Sequence, residues 1–290
     1  MSWRTVVITS NAKLDYQMGF LVVRRDVATK IHISEITNLI IESTAVSLTA
    51  ALLCELMKNK VKVVFCDEKR NPSSELIPYY GSHDTSANIK KQISWTNETK
   101  ALVWTEIVSE KIRKQAETLE YYFKSEADLL YGYIKEIEIG DTTNREGFAA
   151  KVYFNALFGM DFTRTEANST NAALNYGYGI ILSCFNREIA ANGYITQIGL
   201  FHDNMFNQFN LGSDIMEPFR PIIDRAVKEL KPVKFEHEEK MEILSVLNEQ
   251  VIINGRTETV DNAIGIYCRS VFNAMNENDV SQIKFYRNEL

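Results

Sequence analysis

Three separated stretches of this sequence hold carboxylates and an imidazole of the kinds that ligate a hard divalent cation. The first is Arg145-Glu146-Gly147-Phe148-Ala149-Ala150-Lys151-Val152-Tyr153-Phe154. Glu146 is followed by glycine and then by Ala149 and Ala150, a small surface that lets backbone or ligand approach closely. A local alternative stands beside this reading: Thr143 and Glu146 have the spacing of a capping box, in which Glu146 serves only an N-cap amide. The second stretch is Gly199-Leu200-Phe201-His202-Asp203-Asn204, where one of the chain's four histidines falls in a loop-like segment ahead of a helix. His202 is either a metal ligand, with its second nitrogen held by a carboxylate or carbonyl, or an ordinary loop histidine. The third is Ser213-Asp214-Ile215-Met216-Glu217-Pro218-Phe219-Arg220-Pro221. Asp214 and Glu217 are i,i+3, so both carboxylates project from one helical face. Beside a histidine such a pair suits Mg²⁺ or Mn²⁺. The local alternative makes Asp214 an N-cap and Glu217–Arg220–Asp224 a surface ladder of weak ion pairs.

The elements that must position these residues fall into two parts. Residues 4–8, 20–23, 29–33, 38–42 and 61–65 are β-branched or alternating runs and read as strands. Turn-like clusters at 10–11, 15–19 and 25–26 separate them. Ser47 is a plausible N-cap for one helix over 48–58. Residues 67–86 hold Pro72, Pro78, Gly81 and several serines, the densest turn chemistry of the chain, and mark a domain boundary. Beyond it helical periodicity dominates: 86–116, 119–137, 143–158, 169–191 (stopped by Gly193), 214–230, 236–248 and 259–275. Residues 251–253 before Asn254-Gly255 form a short extended piece.

Composition excludes several classes. Of 290 residues, 45% are hydrophobic and 24% charged, which is enough apolar surface for a packed core. No apolar run approaches the ~18 residues of a membrane span; the best, 45–57, is broken by Ser47, Thr49 and Glu55. The N-terminus has no apolar signal core. Cys54, Cys66, Cys184 and Cys268 are scattered without CxxC spacing and read as buried thiols in a reducing cytosol. GxGxxG, Walker A, GxSxG and HExxH patterns are missing, so nucleotide-driven chemistry and common hydrolase scaffolds lose weight. A net charge of −6 argues against non-specific coating of nucleic acid, yet leaves room for a local basic face. Arg24-Arg25 with Lys30, Lys58/Lys60/Lys62, Lys90-Lys91 and Lys111/Arg113/Lys114 are either phosphate contacts or solvated faces. Tyr176 and Tyr178 either stack on bases or pack in a helical core.

Taken in order, Glu-Gly-x-Ala-Ala-x-x-Tyr-Phe (146–154), Gly-Leu-x-His (199–202) and Leu-x-Ser-Asp-Ile-Met-Glu-Pro-Phe-Arg-Pro (211–221) resemble the signature of the larger CRISPR adaptation protein, the Cas-one integrase family. The opening Trp3-Arg4-Thr5-Val6-Val7-Ile8 and the chain length look similar to the type II-A branch, which works beside a single large RNA-guided nuclease.

The resemblance implies an α+β architecture, with a small N-terminal β-sandwich-like domain followed by a larger all-helical catalytic domain. Residues 1–80 would serve dimerisation and DNA contact, and 81–290 metal-dependent catalysis. The family's metal-binding positions fall on Glu146, His202 and Glu217, where many relatives carry Asp at the last; Asp214 matches an acidic position of less defined role. The implied cofactor is Mg²⁺ or Mn²⁺. The implied reaction is strand transfer, in which the 3′-hydroxyl of a captured foreign DNA fragment attacks a phosphodiester at the border of a CRISPR repeat. The implied partners are double-stranded DNA (prespacer and repeat), a second copy of the chain, and a small second adaptation protein whose dimer bridges two such homodimers. The RNA-guided effector nuclease and an accessory ring protein are expected alongside, in the bacterial cytoplasm and away from membranes. Two alternatives use the same residues differently: a metal-dependent endonuclease or branched-DNA resolvase, with water as nucleophile, and a non-catalytic DNA-binding scaffold.

Overall fold

The structure, a computed structural model, describes residues 4–78 and 82–288. The chain divides into two compact units, Met1–Gly81 and Ser82–Leu290.

The first unit runs β1 (Arg4–Ile8), β2 (Ala12–Gln17), β3 (Phe20–Arg24), β4 (Ala28–His32), β5 (Ile36–Ile41), β6 (Val46–Leu48), α1 (Ala50–Lys58), β7 (Lys62–Cys66) and β8 (Pro72–Leu76). The strands form two mixed four-stranded sheets, ordered β1-β5-β7-β8 and β4-β3-β2-β6. Alternation puts Val6 and Ile8 of β1, Leu39 and Ile41 of β5, Leu14 of β2 and Leu21 and Val23 of β3 into one shared core, closed by Leu52 and Leu56 of α1. This is the expected sandwich-like unit, with three local departures. Residues 15–17 continue β2 rather than turning, because Asp15 accepts a hydrogen bond from Arg24 Nε across the hairpin at 2.6 Å. Residues 72–76, read as turn chemistry, form β8; Pro72 is tolerated there because the strand lies at the sheet edge. Val46–Leu48 pairs in parallel with β2, so α1 starts later, capped by Thr49 rather than Ser47.

The second unit carries α2 (Thr85–Ser94), α3 (Asn97–Tyr121), α4 (Glu126–Lys135), α5 (Arg145–Phe158), α6 (Ser169–Ala191), α7 (Asn210–Ile215), α8 (Arg220–Leu230) and α9 (His237–Ser245). The strands β9 (Gln250–Ile253) and β10 (Arg256–Thr259), the helix α10 (Val260–Glu277) and the strand β11 (Tyr286–Asn288) follow. The unit is predominantly helical, with β9 as the expected extended piece at the centre of a small sheet ordered β10-β9-β11. The single helix expected over 86–116 is two: the chain breaks at Trp95, whose buried indole donates to Asn276 Oδ1 at 3.1 Å, and Thr96 caps α3 by accepting from Thr99 N. The helix expected over 169–191 matches α6, capped by Asn168, and Gly193 takes the positive φ that ends it. Cys66, Cys184 and Cys268 are buried, whereas Cys54 is exposed on α1, contrary to expectation. Among the described residues no helix is long and apolar enough to cross a membrane.

Candidate active site

The buried helix α3 supplies the floor of the site. Trp104, Lys111 and Gln115 are spaced i, i+7 and i+11, which puts them on one stripe of a 3.6-residue helix. All three are buried.

Glu146 lies in the first turn of α5. Asp141 accepts from the amides of Arg145 (2.7 Å) and Glu146 (3.0 Å), and the N-cap Asn144, at φ +54°, accepts from Gly147 N. A side chain at Gly147 would strike the Asn144 carboxamide at 2.7 Å, so this glycine clears space for the cap. The caps are therefore Asp141 and Asn144, not a Thr143–Glu146 box, and the Glu146 carboxylate is free to point elsewhere. It accepts from Lys111 Nζ at 2.5 Å. Glu217, in a 3-10 turn between α7 and α8, meets the same Lys111 ammonium with its Oε2, while its Oε1 accepts from Arg220 Nε at 2.8 Å. Two carboxylates from two elements thus converge on a single cation. Burial works against the Lys111 charge, but Glu217 and Glu146 overcome it and hold the ammonium pKa above its ordinary value. Burial likewise opposes ionisation of Glu217, yet Arg220 and Lys111 keep its pKa below the usual carboxylate range.

Asp214 and Glu217 diverge because α7 ends between them. Asp214 is fully buried in α7 and turns to the 200–202 loop. Its Oδ2 accepts from the amides of Leu200 (2.6 Å) and Phe201 (3.0 Å); its Oδ1 accepts from the amide of His202 (3.1 Å) and pairs with His202 Nδ1 at 2.5 Å. Gly199 makes this turn possible: a Cβ there would lie 2.5 Å from the His202 carbonyl and 2.6 Å from Asp214 Oδ2. Trp104 supports the loop from below, stacked on Phe201 at 4.6 Å and edge-on to His202 at 5.9 Å. The Asp214 hydrogen bond, against partial burial and helped by the charges of Asp214, Glu217 and Glu146, raises the His202 pKa. With Nδ1 committed to Asp214, Nε2 is the nitrogen left for a ligand.

A cavity of about 240 Å³ adjoins the carboxylates, lined by Lys111, Gln115, Arg164, Tyr178, Arg220 and Asp224 among others. The Tyr178 hydroxyl donates to Asp224 Oδ1. Burial, opposed by Tyr178, Tyr153, Arg220 and Arg164, pushes Asp224 up to about 6.

Glu146 and Glu217 are brought together and His202 lies within reach of their charge. Among the described residues, however, no group of three His, Cys, Asp or Glu side chains is arranged to hold a metal ion as the chain stands. Lys111 occupies the meeting point. Lys111 and Lys114, read as either phosphate contacts or a solvated face, are instead buried, Lys114 between Glu110 and Glu117 at 3.3 and 2.8 Å. Lys62 is buried too, whereas Arg25, Lys30, Lys90 and Lys91 remain exposed. Tyr176 and Tyr178 belong to the helical core, Tyr176 against Phe235 and Tyr178 beneath the Arg220 guanidinium. The expected Glu217–Arg220 pair exists, with Glu217 buried and Arg220 partly exposed, and Asp224 serves Tyr178 rather than extending a surface ladder. Two contributors were missed: Lys111 as counter-ion and Asp214 as organiser of the histidine loop.

A two-sheet β unit followed by a helical unit is an architecture shared with several known proteins. The family described as CRISPR associated protein Cas1 matches residues 5–250. A CRISPR-associated endonuclease Cas1 from Neisseria meningitidis serogroup C (strain 8013) is 34% identical over 229 residues, covering 78% of this chain and 75% of its own length. A CAS1 protein from Thermotoga maritima shares the fold at 18% identity and a TM-score of 0.77, over 94% of this chain and 97% of that one. A casposase solved bound to integration product does so at 17% identity and 0.78, over 97% and 93%. The chain belongs to the Cas1 family of CRISPR-associated proteins.

Proposed function

We propose that the chain is a CRISPR adaptation enzyme that joins the 3′-hydroxyl ends of foreign DNA fragments to a CRISPR repeat, with Glu146, His202 and Glu217 as ligands of Mg²⁺ or Mn²⁺. The observation that carries this is the convergence of Glu146 and Glu217 on one cationic centre beside a histidine whose Nδ1 is fixed by Asp214. Family membership supports it, as do a relative named an endonuclease and a fold neighbour solved with integration product.

The residues fit the ion. Two carboxylates and one imidazole form a donor set suited to these cations. Glu217 Oε2 is buried and met, among the described residues, by the Lys111 ammonium, while its Oε1 takes Arg220. A divalent ion bound there would polarise a phosphate and lower the pKa of an attacking hydroxyl. The chain's own part is positioning. Asp214 presents His202 Nε2, and the caps at Asp141 and Asn144 fix the first turn that carries Glu146. Arg164, Arg220 and Lys111 line the adjoining cavity with positive charge for phosphate oxygens. Exposed Arg25, Lys30, Lys90 and Lys91 are the candidate contacts to the DNA backbone.

A second copy of the chain and the small second adaptation protein complete the proposed assembly, in which the first unit serves dimerisation and DNA contact. The type II-A assignment, with an RNA-guided nuclease and a ring-forming accessory protein as collaborators in a bacterial cytoplasm, is part of the same proposal. The test offers a duplex with free 3′ ends and a repeat-bearing plasmid in Mn²⁺. Covalent joining by the wild type, lost in Glu146→Ala and His202→Ala while both keep their folded spectra, is expected. Nicking without joining would favour the endonuclease reading, and joining by His202→Ala at the wild-type rate would overturn the ligand assignment.

A further inference from the structure

We propose that Lys111 is a two-position cation, holding Glu146 and Glu217 together in the metal-free site and passing to the Gln115 side of the adjoining cavity when a divalent ion takes its place. This rests on the reading that Glu146 and Glu217 ligate such an ion.

The structure shows the first position. Lys111 Nζ lies 2.5 Å from Glu146 Oε1 and in contact with Glu217 Oε2, and the lysine is buried. An ion ligated by the same two oxygens at about 2.0–2.2 Å would need that same space. Charge gives the same answer. Lys111 and Arg220 already balance the two carboxylates, and adding a divalent ion without moving the ammonium would leave uncompensated positive charge in a buried site, a costly arrangement.

The second position is marked by an acceptor that no other described residue uses. Gln115 is 2% exposed, and its buried Oε1 has no hydrogen-bond partner among the described residues. An unmet buried acceptor destabilises a fold, and in a native structure it asks for an explanation. Gln115 stands at i+4 from Lys111 on α3, the spacing at which helical side chains are neighbours. Both line the cavity of about 240 Å³, together with the Asp224 carboxylate. The flexible four-carbon stem of lysine allows its ammonium to exchange one set of oxygens for the other by side-chain rotation. In the second position the ammonium also faces the cavity where a substrate phosphate would lie.

The experiment measures the Mn²⁺ concentration at half-maximal thermal stabilisation, without DNA, for the wild type, Lys111→Met, Gln115→Met and Glu146→Gln. Lys111→Met removes the competitor: it should melt lower without Mn²⁺ and reach half-stabilisation at about tenfold lower Mn²⁺. Gln115→Met removes the second station: it should melt no lower than the wild type without Mn²⁺ and need about tenfold more Mn²⁺, the equivalent of one charge-assisted hydrogen bond. Merely structural roles would move the metal-free melting points and leave both Mn²⁺ midpoints at the wild-type value. That result, with Glu146→Gln unresponsive, overturns the movement of Lys111 and leaves the metal reading standing. A wild type that shows no Mn²⁺ stabilisation dependent on Glu146 overturns the metal reading and this inference with it. Gln115→Met changes no charge and keeps the test decisive even if Lys111→Met does not fold.

Discussion

Asp214→Asn is the most informative single change outside the proposed ligands. The Asp214 carboxylate is fully buried and serves four donors, two on each oxygen: the Leu200 and Phe201 amides on Oδ2, and the His202 amide and Nδ1 on Oδ1. Asparagine keeps the shape but turns one oxygen into an NH₂. With the NH₂ at the Oδ2 place the Leu200 and Phe201 amides lose their acceptor; at the Oδ1 place the His202 amide does, and the His202 ring keeps a partner only by switching tautomer. At about 1–3 kcal/mol for each unsatisfied group, one or two such groups lose about 1–6 kcal/mol. For a unit of this size that is a fall in melting temperature of roughly 10 °C. Scanning calorimetry reads it directly. The same change frees the His202 ring, so Mn²⁺ binding should weaken by about 10–100-fold, the usual cost of losing the partner that orients a ligand. A variant melting within about 2 °C of the wild type would refute the claim that Asp214 organises the loop. An unchanged Mn²⁺ affinity would refute the claim that it presents His202.

Two further outcomes follow from the same geometry. Burial raises the pKa of Asp224 to about 6, from an ordinary 3.8. The folded state therefore holds its proton more tightly, so this group's contribution to stability declines as pH rises from about 4 to about 6, by about 3 kcal/mol in all. Urea denaturation across that range should show the decline in the wild type, and Asp224→Asn should remove this component; an identical pH dependence in both would contradict it. Gly199→Ala places a methyl group against the His202 carbonyl and Asp214 Oδ2, neither of which has room to withdraw, and should cost about 1–3 kcal/mol in the same assay; neutrality there would mean that the loop is not held as described.

What the sequence disclosed and what it hid have physical reasons. β1, β3, β4, β5 and β7 are β-branched or alternating runs, and they were legible for that reason. β2 was not, because Asp15 looks like turn chemistry until Arg24 appears beside it on the paired strand. β8 was hidden by Pro72, which only an edge position accommodates. Asp214 and Glu217 share a spacing that suggests one helical face, but the helix ends at Ile215 and sends them to different partners. Lys111 was grouped with Arg113 and Lys114 as surface charge. The signal against that lay in its register with Trp104 and Gln115, on a helix rich in Val103, Ile107, Val108 and Ile112. A lysine on a buried stripe must find anions, and in this chain those anions are the two expected metal ligands.

The most direct measurement of the central claim is anomalous scattering from crystals grown with Mn²⁺. One peak bonded to Glu146 and Glu217 is expected, with His202 Nε2 turned onto it and the Lys111 ammonium displaced. A peak that avoids both carboxylates, or Lys111 still seated between them at saturating Mn²⁺ with no peak at all, would contradict it.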